Sequence, residues 1–306
     1  MNQGYSLRAV EPDPCAGTLR RKTVISRAIV RAIGESRKVT KGKITKPPLE
    51  RRQRVQSAEM GMGILKALSR LGGAASLTLV ASEVGESTAK VHRYMASLIQ
   101  EGVVEQDPTT QRYFLGREAI QIGLAAIRQC DPIRLGESAL VRLREQLEVT
   151  CFLAIMGNKG PTVLRFEEPG LPITINVRAG STLPLLWSAT GQVFLSYLDD
   201  ANVRRQADEE YSRATKEQRA SLSTRQPIDH LCKTVRAHGC AVVHDTLLRG
   251  ISAVAAPVFD YTGRTSAVLT ALGATGGFDA RADGVIAKHV MREAAAISAA
   301  LGFDDH

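Results

Sequence analysis

The sequence predicts an α+β chain of two domains joined by a short helix, and three observations carry that prediction. Its 306 residues are about twice the length of an average domain. Three helical apolar stripes between 57 and 100 run directly into two short β-rich stretches. From Ile133 onward helix and strand signals alternate, with strands close together and turns short, which is the mark of an antiparallel sheet covered by helices.

Residues 1 to 54 come first, and they hold the chain's basicity. They carry 14 Lys and Arg against 4 acids, a net of +10 where the whole chain is +9, so the other 252 residues sum to −1. With Pro12, Pro14, Pro47 and Pro48, a basic run from Arg37 to Lys46 and little periodicity, the segment is expected to be mostly disordered. It is either an arm that tracks nucleic-acid phosphates or a passive extension, one origin of which is an upstream start codon. Deleting residues 1 to 50 separates the two, because only the first loses salt slope in DNA binding.

Order begins near Ser57. Met60, Ile64, Leu68 and Leu71 recur at helical spacing and are stopped by Gly72-Gly73. Gly61 and Gly63 weaken this helix. A second short helix follows from Ser76 to Val84, with Gly85 to end it. Ser87 then caps a third, running to Gln100, whose Val91, Met95 and Leu98 form the inward stripe. VVEQ (103 to 106) and RYFL (112 to 115) flank a turn built on Asp107-Pro108.

Helix, helix, turn, helix, hairpin over 55 to 116 describes a winged helix-turn-helix, whose third helix enters the major groove of double-stranded DNA. With the apolar stripe inward, the outer side near the helix start offers Ser87, Thr88, Lys90, His92 and Arg93, and the hairpin offers Arg112. Hydroxyls donate to phosphate or base, a lysine ammonium meets phosphate, and an Arg guanidinium reads guanine O6 and N7 in bidentate fashion. Read singly, such residues are more often those of an ordinary solvated helix; the ordered series of elements around them favours the DNA reading.

The stretch from Val55 to Gly116 resembles the N-terminal domain of the IclR-type transcriptional regulators, and the resemblance continues to the end of the chain. Val55, Ser57, Gly72, Gly73, Ala81, Val91, His92, Arg93, Gly102, Val103, Val104, Asp107, Tyr113, Leu115 and Gly116 follow the family pattern. One stretch departs. The family's third helix usually opens Pro-Lys-Ser-Thr, where this chain has Ser87, Thr88, Ala89 and Lys90, so the groove-reading role is implied but no particular operator.

REAIQIGLAAIRQC (117 to 130) puts Ile120, Leu124 and Ile127 on one helical face. It is assigned, within 117 to 131, as a linker helix, which in the family contributes to dimerisation; packing on its own chain is the alternative. A homodimer is expected because two recognition helices double the operator contacts. The step to a tetramer on DNA is left open.

Residues 132 to 306 are expected to form the second domain. Helices are read at 133 to 147, 188 to 197, within 201 to 222 and at 228 to 237. Strands are read in VTCFLAIM, VLRFE, PITINVR, CAVVHD, ISAVAAPVFD and SAVLTAL, and a final helix is capped by Asp279 and closed at Gly302. The resemblance implies a GAF-like effector-binding domain, carried by AGSTLPLLWSATGQVFL (179 to 195) and HGCAV…GISAVAAPVFDYTGR (238 to 264). It also implies a pocket with Leu185, Trp187, Ala189, Thr190 and Gly191 on one wall and Val243, Asp245, Ala253, Thr270 and Leu272 on the sheet side. Val243, Ala253 and Leu272 stand where relatives that bind small keto-acids tend to carry polar or thiol groups. An apolar lining with few polar groups favours an aromatic or otherwise bulky organic acid. Trp187, the only Trp, is read equally well as plain core.

Other classes are weighed against this one. No stretch approaches the ~18 apolar residues of a membrane span, and the N-terminus lacks the apolar core of a secretory signal, so the protein is expected in the cytoplasm, with no membrane partner. Five widely spaced cysteines and no C-x-x-C argue for reduced thiols. His230, Cys232, His238, Cys240 and His244 crowd together, but their spacing puts them on different faces, so no metal or cofactor is expected. Cys240, His244 and Asp245 could be read as nucleophile, base and orienter; no catalytic motif accompanies them, and the chain is not read as an enzyme. A DNA-binding protein without a ligand is the remaining alternative, disfavoured by the long second half.

Overall fold

The computed structural model describes residues 55–170, 177–222 and 225–304. The expectation for the tail at 1 to 54, and most of that for a strand at 172 to 178, lie outside them. The part from Gln56 onward forms one compact unit.

Helices α1 (Gln56–Arg70), α2 (Leu77–Val84) and α3 (Thr88–Gln100) are followed by strands β1 (Val104–Gln106) and β2 (Tyr113–Leu115). Local chemistry sets the ends. The Ser76 side chain accepts from the Leu79 amide and Ser87 from the Lys90 amide, while Gly85 ends α2 at φ +71°, a left-handed conformation that favours glycine. Ile64, Ala67, Leu68, Val80, Ala81, Val91 and Met95 fill the core these helices share, with Val104 and Tyr113 from the hairpin. Ala75 exchanges both backbone hydrogen bonds with Tyr113 and so ties the hairpin to the α1–α2 connection. Helix α4 (Arg117–Arg128) follows, with no buried residue.

In the second half, α5 (Pro132–Leu147) precedes β3 (Thr150–Gly157) and β4 (Gly160–Glu167). Then come α6 (Ala189–Tyr197), α7 (Ala201–Arg213), α8 (Lys216–Ala220) and α9 (Pro227–His238), followed by β5 (Ala241–His244), β6 (Ile251–Phe259), β7 (Thr265–Ala274) and α10 (Val285–Ala300). The five strands form one antiparallel sheet in the order β4-β3-β7-β6-β5. Its two faces follow the period of two that strands impose. Cys151, Leu153, Val254, Ala256, Leu269 and Ala271 pack with residues of α5 and α10, whereas Phe152, Ala154, Val243, Ala253, Ala255, Val268 and Leu272 pack with α6 and α9.

The final helix starts differently from the sequence expectation. Its N-cap is Gly284, without a side-chain cap. Asp279 still serves this end, because its Oδ2 accepts from the Val285 amide from six residues upstream. A Cβ on Gly284 would collide with that carboxylate.

Candidate nucleic-acid interface and ligand pocket

Ser87, Thr88, His92 and Arg93 are exposed along the start and outer side of α3, and Val91 and Met95, at 0% and 1% exposure, anchor the opposite side. Lys90 is different. Its Nζ lies 2.7 Å from Glu86 Oε1, one helical turn earlier, and both side chains are about two-thirds covered. It is therefore a cation already held by an acid rather than a free one. Arg112 is exposed in the wing. The wing turn is tied by Asp107, whose Oδ1 accepts from the amides of Thr109 and Thr110. Those bonds, led by that of Thr110, hold the Asp107 carboxyl below its ordinary pKa.

A cavity of about 40 Å³, within about 440 Å³ of interatomic space that includes its open mouth, lies between the N-terminal end of α6 and the sheet. Six of the sequence-chosen residues line it: Ala189 and Thr190 on the helix side, Val243, Ala253, Thr270 and Leu272 on the sheet side. The strand register gathers the sheet residues, since Val243 pairs with Ala253, Ala253 with Leu272, and Thr270 with Phe152. Thr190 Oγ1 and Thr270 Oγ1 are 2.8 Å apart and buried. Apart from Ser188, which is occupied in capping α6 and donating to the Pro184 carbonyl, this pair is the side-chain polarity of the lining.

Four of the chosen residues sit beside the cavity instead. Leu185 and Trp187 belong to the core behind it, the latter 6% exposed. Gly191 is where α6 meets its own entry loop, and a Cβ there would collide with the Pro184 carbonyl and the Leu185 backbone. Asp245 adopts φ +50° at the end of β5, and its Oδ1 accepts from the Gly250 amide and the Thr275 hydroxyl. Its carboxylate holds the β5–β6 loop.

That loop supplies lining that the sequence reading missed. Leu247 and Leu248 line the cavity while remaining 40% and 43% exposed, and Ile251 lines it as well. Phe152, Val177, Leu183 and Ser188 complete the lining. Two adjacent leucines in the polar stretch HDTLLRG were a legible signal. Phe152 was not, because alternation shows which residues of a strand share a face but not what that face meets.

The rival chemistry finds no support in the geometry. Cys240 is 2% exposed, and burial pushes its thiol pKa up, away from the thiolate a nucleophile needs. His244 Nδ1 is 3.3 Å from Ser252 Oγ, and Asp245 is engaged as described. Among the described residues no three His, Cys, Asp or Glu gather to hold a metal, and no helix is long and apolar enough to cross a membrane.

Residues 57–108 match the IclR helix-turn-helix domain, and residues 124–299, more than half the chain, match the C-terminal domain of bacterial transcriptional regulator IclR. The chain belongs to the IclR family. It is similar to the crystal structure of HmgR from Pseudomonas aeruginosa at 40% identity and a TM-score of 0.75, over 82% of this chain and 100% of that one. It also resembles the HTH-type transcriptional regulator XynR of Escherichia coli, 23% identical over 81% of this chain and 98% of that protein. The Pca regulon regulatory protein of Pseudomonas putida is 24% identical over 70% and 72%. As an IclR-family member the chain is a DNA-binding transcriptional regulator with a helix-turn-helix and an effector-binding C-terminal domain.

Proposed function

We propose that this regulator acts in the cytoplasm as a homodimer on a pseudo-palindromic operator, and that a small aromatic or otherwise bulky organic acid modulates its grip. The domains in this reading are 55–116 for DNA, 117–131 for the linker and 132–306 for the effector. The observation that carries it is the cavity between α6 and the sheet, lined by apolar side chains apart from Ser188 and one paired set of hydroxyls. The apolar lining favours a ligand with an apolar body, since covering that surface is what gains free energy; with about 40 Å³ enclosed, an aromatic ring must also use the space at the open mouth. No charged side chain lines the cavity, so the carboxylate belongs at the mouth or at the N-terminal end of α6, where the helix dipole favours negative charge.

Ser87, Thr88, His92 and Arg93 on α3 and Arg112 in the wing are the proposed DNA contacts. Lys90 joins them by exchanging Glu86 for phosphate. The exposed apolar residues of α4, Ile120 at 60% and Leu124 at 47%, support pairing of two chains there rather than packing within one. For the effector to act it must bind one arrangement of the dimer better; a coupling of ~1 to 3 kcal/mol changes operator affinity about 5 to 150-fold.

The test of the effector class is thermal unfolding of the purified protein with benzoate, phenylacetate and hydroxylated benzoates against pyruvate and glyoxylate. A rise in Tm that grows with aromatic acid and is absent with keto-acids supports the reading. Stabilisation by keto-acids alone overturns it.

A further inference from the structure

Glu210 on α7 lies outside the cavity lining, yet its carboxylate reaches the loop that builds one wall. Oε1 accepts from the Leu185 amide at 2.8 Å and Oε2 from the Leu186 amide at 3.0 Å. These are charge-assisted bonds to two successive backbone donors, the stronger class of hydrogen bond in a protein.

The wall they hold is otherwise tied to β4 and to the start of α6. Leu183, which lines the cavity, donates its amide to the Pro161 carbonyl at the start of β4. Ser188 Oγ donates to the Pro184 carbonyl, Gln192 Nε2 donates to the Leu186 carbonyl, and Gly191 lies close against Pro184 and Leu185. Two carbonyls of this loop, of Pro184 and Leu186, thus accept from the Ser188 cap and from Gln192 of α6, and the Leu185 and Leu186 amides donate to Glu210 of α7. A buried amide must find a partner, and Leu185 and Leu186 are 1% and 0% exposed.

We infer that Glu210 is a positioning residue for the effector pocket: its carboxylate presets the 183–188 wall in its ligand-ready form. The inference rests on the cavity being the effector site. Trp187 stands between the clamped Leu186 amide and the cavity-lining Ser188, so its emission reports on the same wall.

The experiment compares the full-length chain with Glu210→Ala and Glu210→Gln by hydrogen exchange over peptides spanning 183–188, with β6 and β7 as the folded control and Trp187 emission read in parallel. In Glu210→Ala the wall amides exchange about tenfold faster or more, the loss expected for a charge-assisted bond removed from a local opening equilibrium, and emission shifts to the red. Glu210→Gln is intermediate, because its amide oxygen accepts and its NH2 cannot. Wild-type exchange at 183–188 in Glu210→Ala overturns the inference. If that variant loses the control protection as well, Glu210→Gln decides: faster exchange confined to the wall supports the role, and wild-type exchange ends it. Titration with benzoate and phenylacetate adds the functional arm. Affinity about tenfold or more below wild type is expected for Glu210→Ala, and equal affinity in a chain with a loosened wall contradicts the positioning role. Failure of the wild type to bind any aromatic acid strikes the effector class proposed above and leaves the exchange result standing.

Discussion

Thr190 at the first turn of α6 and Thr270 in the middle of β7 bring their hydroxyls to 2.8 Å at the cavity, both side chains 1% exposed. Eighty residues apart in sequence, they join the helix wall to the sheet wall, and each hydroxyl is hydrogen-bonded to the other. Thr270→Val should therefore cost about 1 to 3 kcal/mol by stranding the Thr190 hydroxyl, while Thr190→Val with Thr270→Val recovers much of it. Urea unfolding of the two single variants and the double variant measures the coupling. Additive losses would show that the pair contributes no shared stability.

On α3, base reading and phosphate contact are separable by substitution. Arg93→Ala should cost ~1 to 3 kcal/mol on the operator and much less on random DNA. Glu86→Gln, which releases Lys90 from its 2.7 Å ion pair, should tighten binding to all sequences and steepen the salt dependence by about one phosphate contact. Fluorescence anisotropy at several salt concentrations reads both. Equal losses on operator and random DNA for Arg93→Ala would remove its base-reading role.

Helix α4 leaves Ile120, Ile122 and Leu124 at 60%, 62% and 47% exposure. The variant carrying Ile120→Lys and Leu124→Lys should sediment as a monomer, keep the helical signal of the wild type, and bind a two-site operator no better than a half-site. A dimer of unchanged stability in sedimentation velocity would place the subunit contact elsewhere.

Glu293 of α10 is buried between Arg142 and Arg292, 2.7 and 3.1 Å away. Burial raises its carboxyl pKa, but the hydrogen bonds and charges of Arg142 and Arg292 outweigh it, and the net shift is below the ordinary 4.5. A carboxyl depressed in the folded state stabilises it above the unfolded value and loses that contribution as pH falls through the folded value. Glu293→Gln should thus flatten the fall in stability below about pH 4.5. Urea midpoints from pH 7 to pH 3 test this, and parallel curves would refute it.

Much of the fold was legible because its signals are local. Ser76, Ser87 and Gly85 cap helices where their side chains or their φ require, and Val91, Met95 and Leu98 repeat at helical spacing. The Glu86–Lys90 tie was also readable as an i,i+4 pair, but its consequence for a free phosphate cation went unread. The pocket was half legible. Its sheet residues came from the resemblance to the IclR-type regulators, with alternation showing only which of them share a face, whereas Phe152 and Leu183 depend on which elements close over them. Asp245 was placed in the pocket, and the turn at φ +50° sends its carboxylate to Gly250 and Thr275 instead. Glu210 carries no sequence signal, since its partners are backbone amides 24 and 25 residues away.

Whether one chain both reads DNA and answers to a small acid is decided by operator affinity with and without ligand. Fluorescence anisotropy of the full-length protein on the intergenic DNA upstream of its own coding sequence, at fixed salt, is measured across aromatic and keto-acids. Specific binding above random DNA that one aromatic acid changes about 5 to 150-fold is expected. Specific binding that none of these acids alters would contradict it.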